Sequence, residues 1–290
     1  MRNYRRMLVH VSDSERAGEV LTCAAVIAAA QGATLSAVHS VVPQYLGAYI
    51  NPETAMTAAQ LSQDAQRTRT AKARERVLEA DRANGVRIMF ESHGDDPVQA
   101  MTSRSRVADM VVVGQPADDD ANGPSRTFAS KLLVGAGCPV LFVPSSGRAD
   151  HCGSTVLVAW SGTRESARAM HDALPILQRA TNVEVLRFGA TAEPGTDEPL
   201  DAVAAYLRAH GVQATCSIRP VQAMSFSERM LTPTVVDASI AELLLSHAAD
   251  MNADLIVMGG YGHTRAYEFV LGGVTRTLLG SMTVPVLMSH

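Results

Sequence analysis

The chain alternates between two hydrophobic rhythms. Short runs that are apolar at nearly every position, such as Leu255-Ile256-Val257-Met258, read as strands buried on both faces. Between them the period lengthens to that of a helix. Across Arg164–Gln178 the apolar positions are Ala167, Met170, Ala173, Leu174 and Leu177. In the C-terminal half this pattern predicts strands at Val156–Trp160, Val183–Phe188, Ala214–Ile218, Leu255–Met258 and Val286–Ser289. It predicts helices at Arg164–Gln178, at Leu200–Ala209 with Gly211 as a C-cap signal, and at Ala238–Met251, with another opening at Val274–Leu279. Apolar strands alternating with helices imply an α/β fold, a doubly wound five-stranded parallel sheet covered on both faces. Such a sheet presents ligands to the carboxyl ends of its strands.

The pattern occurs twice. Ala108-Asp109-Met110-Val111-Val112-Val113-Gly114 matches Ala253-Asp254-Leu255-Ile256-Val257-Met258-Gly259. Leu132-Leu133 with Pro139-Val140-Leu141 matches Leu278-Leu279 with Pro285-Val286-Leu287, and Leu8-Val9-His10-Val11-Ser12 matches Leu157-Val158-Ala159-Trp160-Ser161. Each unit reads βαβαβαβαβ. The small, polar stretch Ser145–Gly153 suits a linker, which places the units at 1–145 and 154–290. Two segments break the rhythm and read as loops: Val42–Thr57, with Pro43, Tyr45, Tyr49 and Pro52, and Gln213–Asp237, with Met224, Phe226, Met230 and Leu231. Apolar loop residues of this kind pack between copies or cover a ligand mouth.

Composition narrows the class. Hydrophobic residues make up 47% of the 290 positions, enough for two packed cores. A net charge of −4 without a basic run argues against nucleic acid as a main partner. No apolar stretch reaches membrane-spanning length, and the polar start leads straight into a strand, so no membrane association and a cytoplasmic location are expected. Cys23, Cys138, Cys152 and Cys216 form no CxxC pair, and the nine histidines show no HxH or HExxH pattern, so inert thiols and no metal cluster are expected.

The candidate chemistry lies in Gly259–Thr275. Gly259, Gly262 and Gly272 stand at G-x2-G-x9-G spacing, followed by Gly273, Val274 and Thr275, after one strand and at the start of a helix. Glycines let backbone N–H groups approach phosphate oxygens, and a helix N-terminus adds unpaired donors and partial positive charge. Thr275 could add a hydroxyl, His263 a phosphate contact, and Arg265 and Arg276 flank the loop. The first copy reads differently. After Gly114 comes Gln115-Pro116-Ala117-Asp118-Asp119-Asp120, so the second glycine is missing and the carboxylates would repel phosphate. The stretch Ser161–Ser166 is weakly similar to the S-G-G-x-D-S loop of ATP pyrophosphatases. The favoured reading is a helix start, with Ser161 or Thr163 as N-cap and Glu165 in the first turn.

Taken together, Met258-Gly259-Gly260-Tyr261-Gly262-His263, the pair Gly272-Gly273 with Val274-Thr275, and the terminal Val284-Pro285-Val286-Leu287 strand resemble the universal stress protein family in its tandem two-domain form. The resemblance implies Rossmann-like domains of the adenine nucleotide alpha hydrolase type that often carry ATP. It implies phosphate contacts at Gly259, Gly262, Gly272, Gly273 and Thr275, and adenine and ribose contacts at Ala159, Trp160, Ser161, Gly162 and Leu186. Two departures stand out: Gly273 replaces the expected Ser or Thr, and Ser161 replaces a common acidic residue. Each lost hydrogen bond costs on the order of 1 kcal/mol, which weakens binding without abolishing it.

The expected function is nucleotide-dependent interaction in the stress response, with ATP, or ADP or AMP in its place, bound with Mg2+ in the second unit and a protein as partner. No nucleophile–base pair is evident, so any ATPase activity is expected to be slow. A phosphoryl-transfer enzyme and a ligand-free scaffold or chaperone-like protein are the alternatives. The last strands, Val140–Val143 and Val286–Ser289, are expected to pair the two units as a pseudo-dimer, and two chains could pair further.

Overall fold

The computed structural model describes residues 3–40, 52–117, 124–147, 151–189, 200–220, 233–260 and 273–290. The first unit runs β1 (Arg6–His10), α1 (Ala17–Gln31), β2 (Thr34–Ser40), α2 (Pro52–Asn84), β3 (Ile88–His93), α3 (Pro97–Ser105), β4 (Met110–Gly114), α4 (Arg126–Gly135) and β5 (Val140–Val143). The second runs β6 (Thr155–Ala159), α5 (Arg164–Leu177), β7 (Asn182–Phe188), α6 (Leu200–Ala209), β8 (Thr215–Arg219), α7 (Pro233–Asp250), β9 (Leu255–Gly259), α8 (Gly273–Ser281) and β10 (Val286–Ser289).

All ten strands join in one sheet, in the order β3-β2-β1-β4-β5-β10-β9-β6-β7-β8. Each unit is parallel throughout, and the seam between β5 and β10 is antiparallel, with Leu287 opposite Leu141. This is the pairing expected of the two last strands. Strand alternation sorts the core into two layers. Met7, Val9, Val156 and Val158 point into a cluster with α1 and α5, whereas Leu8, Leu157, Val286 and Met288 point into one with α4, α7 and α8. Both clusters cross the seam, so the two units share their core.

The structure corrects three expectations. The first loop was expected over Val42–Thr57, but α2 begins at Pro52, whose fixed φ suits the first turn of a helix. Pro43, Tyr45 and Tyr49 lie outside the described residues. Helix α7 begins at Pro233, five residues before the expected Ala238, for the same reason; Met224, Phe226, Met230 and Leu231 lie outside the described residues. Finally, β3 and β8 are sheet edges and are not buried on both faces: Met89 is 47% and Ile218 36% exposed.

One aspartate pins the entry to each unit. Asp254 accepts from the backbone amides of Gly153, Ser154 and Thr155, each at 3.0 Å. Asp109, its counterpart, accepts from Arg5 at 2.7 Å and Arg6 at 2.9 Å. The repeated Ala-Asp dipeptide therefore joins the turn before each unit's fourth strand to the start of its first. Further ties cross between the units: the Tyr4 hydroxyl donates to Asp172 O at 2.6 Å, and Gln31 Nε2 donates to Pro175 O at 2.9 Å. The four cysteines are unpaired thiols, and burial pushes that of Cys138 up to about 12, which keeps it protonated.

Two buried histidines sit at the carboxyl end of the first unit. His39 is 1% exposed, and its Nδ1 donates to Val11 O at 2.9 Å, leaving Nε2 3.9 Å from Asp13 Oδ1. His10 is 7% exposed, packs its ring on Phe128 with centroids 4.8 Å apart, and has no partner for Nδ1 among the described residues. Burial first, and then His39, lowers its pKa from 6.5 to about 4.

Two predictions follow from these anchors. Asp254→Ala removes a carboxylate from three amides and should cost about 2–3 kcal/mol in urea unfolding, the range for hydrogen bonds to a charged group. For His10, the unfolded chain binds the proton more tightly than the folded one. Stability should therefore decline as pH falls from 6.5 and level off near 4. The His10 share of that decline is about 3 kcal/mol at most, and the gap between wild type and His10→Gln in unfolding midpoints at successive pH values measures it.

Candidate functional site

At the carboxyl end of the second unit the sheet brings three chain segments side by side. Ala159 of β6 lies in register with Met258 of β9, and Gly259 lies in register with Ser289 of β10. The expected base and ribose contacts are therefore adjacent to the root of the glycine loop. Trp160 N donates to Leu186 O at 2.8 Å and extends the β6–β7 ladder past the strand. Gly162 has φ 72°, in the left-handed region, which lets the chain turn from β6 into α5. Thr163 caps α5 by accepting from Ser166 N at 3.3 Å, and the Ser161 hydroxyl stands 3.0 Å from that of Thr163. Ser161–Ser166 is thus a capped helix start, as favoured over a second phosphate loop.

Side chains here divide between the two faces. Ala159 and Val274 are both half-buried against the cluster that holds Leu186, Met258 and Leu278. Trp160 points to the opposite, α5 side, is 9% exposed, and its indole N–H has no hydrogen-bond partner among the described residues. Ser161 and Gly162 are exposed. Gly273 is the first residue of α8, and Thr275, in the first turn, is buried. A helix start leaves its first N–H groups without intrahelical acceptors and carries partial positive charge. Arg276 is exposed on the same turn. Gly262, His263, Arg265 and Gly272 lie outside the described residues.

The first two glycines of the run have a packing role. A Cβ on Gly259 would lie 2.6 Å from Ser166 N and 2.7 Å from Glu165 C, so the start of α5 leaves no room for one. A Cβ on Gly260 would lie 2.7 Å from Leu133 Cδ2, a side chain of the first unit. Gly260 N is also engaged, donating to Ser289 O at 2.8 Å. Gly259 is thus demanded by close approach of the α5 backbone, with or without a ligand, whereas a side chain at Gly260 would have to displace the end of Leu133.

That geometry brings in residues the sequence reading did not place at the site. Glu165 stands against Gly259. Burial pushes its carboxyl up, but its own backbone amide, the Thr163 hydroxyl and Arg164 outweigh burial and hold it below the usual range. A negative charge is therefore present near the cleft even though Ser161 supplies none. Its signal was available, as the acid in the first turn of α5. Leu133 and Gln115 come from the other unit, and no local signal points to them. Among the described residues no group of three or more His, Cys, Asp or Glu side chains could hold a metal ion.

The first unit carries rings at two of the equivalent positions. By the internal repeat, His10 corresponds to Ala159 and Phe128 to Val274. The rings of His10 and Phe128, each 7% exposed, pack together across the gap between β1 and α4. At the same two positions the second unit carries only a methyl and an isopropyl group. Beside them, at the ends of β1, β4 and β5, the first unit has a cavity of about 370 Å³ bordered by Ser12, Arg16, Gly114, Gln115, Val143 and Ser145.

Comparison with known proteins agrees with this layout. The universal stress protein family matches over residues 3–144 and again over 154–290. A universal stress protein from Archaeoglobus fulgidus DSM 4304 superposes with a TM-score of 0.66 at 15% identity, covering 97% of each chain. A functionally unknown protein from Pseudomonas aeruginosa PAO1 gives 0.54 at 15% identity, covering 98% of this chain and 92% of its own. A universal stress protein from Archaeoglobus fulgidus in complex with dAMP is similar to half of the molecule, 49% of this chain and 98% of its own, at 22% identity and a TM-score of 0.30. No curated protein matches. Among the described residues, no helix is long and apolar enough to cross a membrane. With two family matches falling on two α/β units that join through their last strands, the chain belongs to the universal stress protein family as a tandem two-domain member.

Proposed function

We propose that this protein is a cytoplasmic stress-response module that binds an adenine nucleotide in its second unit and presents a surface to a protein partner according to what is bound. The observation that carries the reading is a contrast at one pair of positions: the rings of His10 and Phe128 pack together in the first unit, where the second carries the small side chains of Ala159 and Val274. Ala159 and the backbone around Leu186 suit a flat apolar base. The Trp160 indole N–H lacks an acceptor among the described residues, and the exposed Ser161–Gly162 turn suits a sugar hydroxyl. The start of α8, at Gly273, Val274 and Thr275, suits phosphate, with Gly262, His263 and Gly272 completing the loop and Gly259 at its root.

ATP is the favoured ligand, with ADP or AMP in its place. An acidic Glu165 beside the cleft suits a polyphosphate neutralised by Mg2+ better than a bare one. Bound nucleotide would act through the populations of loop conformations, and it can shift them only by its difference in affinity between them. Among the described residues, the cleft offers hydrogen bonds and shape but no base paired with a nucleophile. Binding is therefore the activity, with hydrolysis at most slow.

The test is to denature the purified protein and analyse the supernatant by mass spectrometry for an adenine nucleotide, with calorimetry against millimolar ATP alongside. The expected result is retained or readily bound nucleotide. A double variant, Ala159→His with Val274→Phe, transplants the first unit's rings and should weaken binding roughly tenfold or more, the scale of an overfilled site. An empty protein that ignores millimolar ATP overturns the reading in favour of a ligand-free scaffold, and unchanged affinity in the folded double variant overturns the assignment of the cleft.

A further inference from the structure

Gln115 and Gly260 hold the same position in the two repeats, one residue past the glycine that ends β4 or β9. Leu133 of α4 and Leu279 of α8 are likewise counterparts. The antiparallel seam relates the units by an approximate twofold, so each unit's post-strand residue meets the other unit's last helix. In one direction Gly260 packs under Leu133. In the other, Gln115 reaches across, and its Nε2 donates to Leu279 O at 2.8 Å.

The chemistry of that second contact is specific. Leu279 lies in the last turn of α8, where carbonyls have no N–H partner within the helix. Gln115 supplies one. Its Oε1 meanwhile accepts from Ser145 N at 2.7 Å, and its own backbone N donates to Val143 O at 2.7 Å. The side-chain amide is thus braced on the first unit and caps a helix of the second. A glycine here, as in the other repeat, could make neither side-chain bond.

We propose that Gln115 is a positioning residue for the second unit's nucleotide site, and that the first unit has exchanged its own glycine loop for a clamp on its neighbour's. One jaw is Leu133, which presses on the root of the glycine loop at Gly260. The other is Gln115, which holds the C-terminal end of α8, the helix whose N-terminal end opens at Gly273. Loop root and helix are then held from the same rigid body, which reduces the ordering cost of binding. The effect on affinity rests on the nucleotide reading above; the hold on α8 does not.

The full-length protein tests both parts. In Gln115→Ala and Gln115→Gly, hydrogen exchange across residues 273–281 should speed up about three- to tenfold relative to the rest of the chain, the effect of one lost hydrogen bond. Affinity for a fluorescent ATP analogue should fall by a similar factor. Gln31→Ala is the control: it removes a different bond between the units, Gln31 Nε2 to Pro175 O, and should lower overall stability without singling out α8. Gly260→Ala should weaken analogue binding, and adding Leu133→Ala should restore it by making room. Exchange in α8 at the wild-type rate in both Gln115 variants overturns the clamp, as does a folded Gly260→Ala that Leu133→Ala does not rescue. Should Gly260→Ala fail to fold, the Gln115 variants decide. Should the wild type bind no nucleotide, the functional reading fails and exchange alone judges the clamp.

Discussion

The antiparallel pairing of β5 with β10 is the constraint on which the rest of this molecule depends. Three residue pairs, Phe142–Val286, Leu141–Leu287 and Val140–Met288, close what would otherwise be two open sheet edges into one ten-stranded sheet. Because all of these side chains are buried, the seam also fuses the two apolar layers across the units. The pairing direction sets an approximate twofold, and that symmetry carries the carboxyl end of each unit to the last helix of the other. Leu133 at Gly260 and Gln115 at Leu279 are consequences of it, not separate features.

Within that frame the repeats have diverged by what fills the carboxyl ends of their strands. The main-chain plan is the same in both: Val11 N donates to Val38 O at 2.9 Å as Trp160 N donates to Leu186 O at 2.8 Å. Helix lengths and the side chains at the strand ends differ. His10 and Phe128 stand where the other copy has Ala159 and Val274, and Gln115 stands where it has Gly260. The order of strands and the aspartate anchors are common to both repeats. Burial of His10, which lowers its pKa, makes the first unit's strand ends sensitive to acid.

The glycine run shows how far local reading reaches. Its strand, its spacing and the helix opening near Val274 were legible because each is a pattern of neighbouring residues. The reason for Gly259 and Gly260 was not. Flexibility and access for phosphate are the usual grounds for glycine in such a loop, whereas here the backbone at Ser166 leaves no volume for a side chain at Gly259, and one at Gly260 would have to displace the end of Leu133. Leu133 lies more than a hundred residues away along the chain, and no spacing rule reports such a neighbour. The starts of α2 and α7 were misread for a different reason: Pro52 and Pro233 were taken as loop residues, although a proline is also well suited to a helix's first turn.

From the order of its residues alone, this chain determined its fold class, its duplication, the strand that each unit offers at its edge, and which copy kept a glycine loop. Those properties follow from hydrophobic period and local backbone preference, which act over a few residues at a time. Tertiary structure decided that the rings of His10 and Phe128 pack together, that Asp109 and Asp254 anchor the units, and that Gln115 caps a helix of the opposite half. Those depend on which distant side chains meet at close-packed separation, and close packing is a property of the assembled sheet.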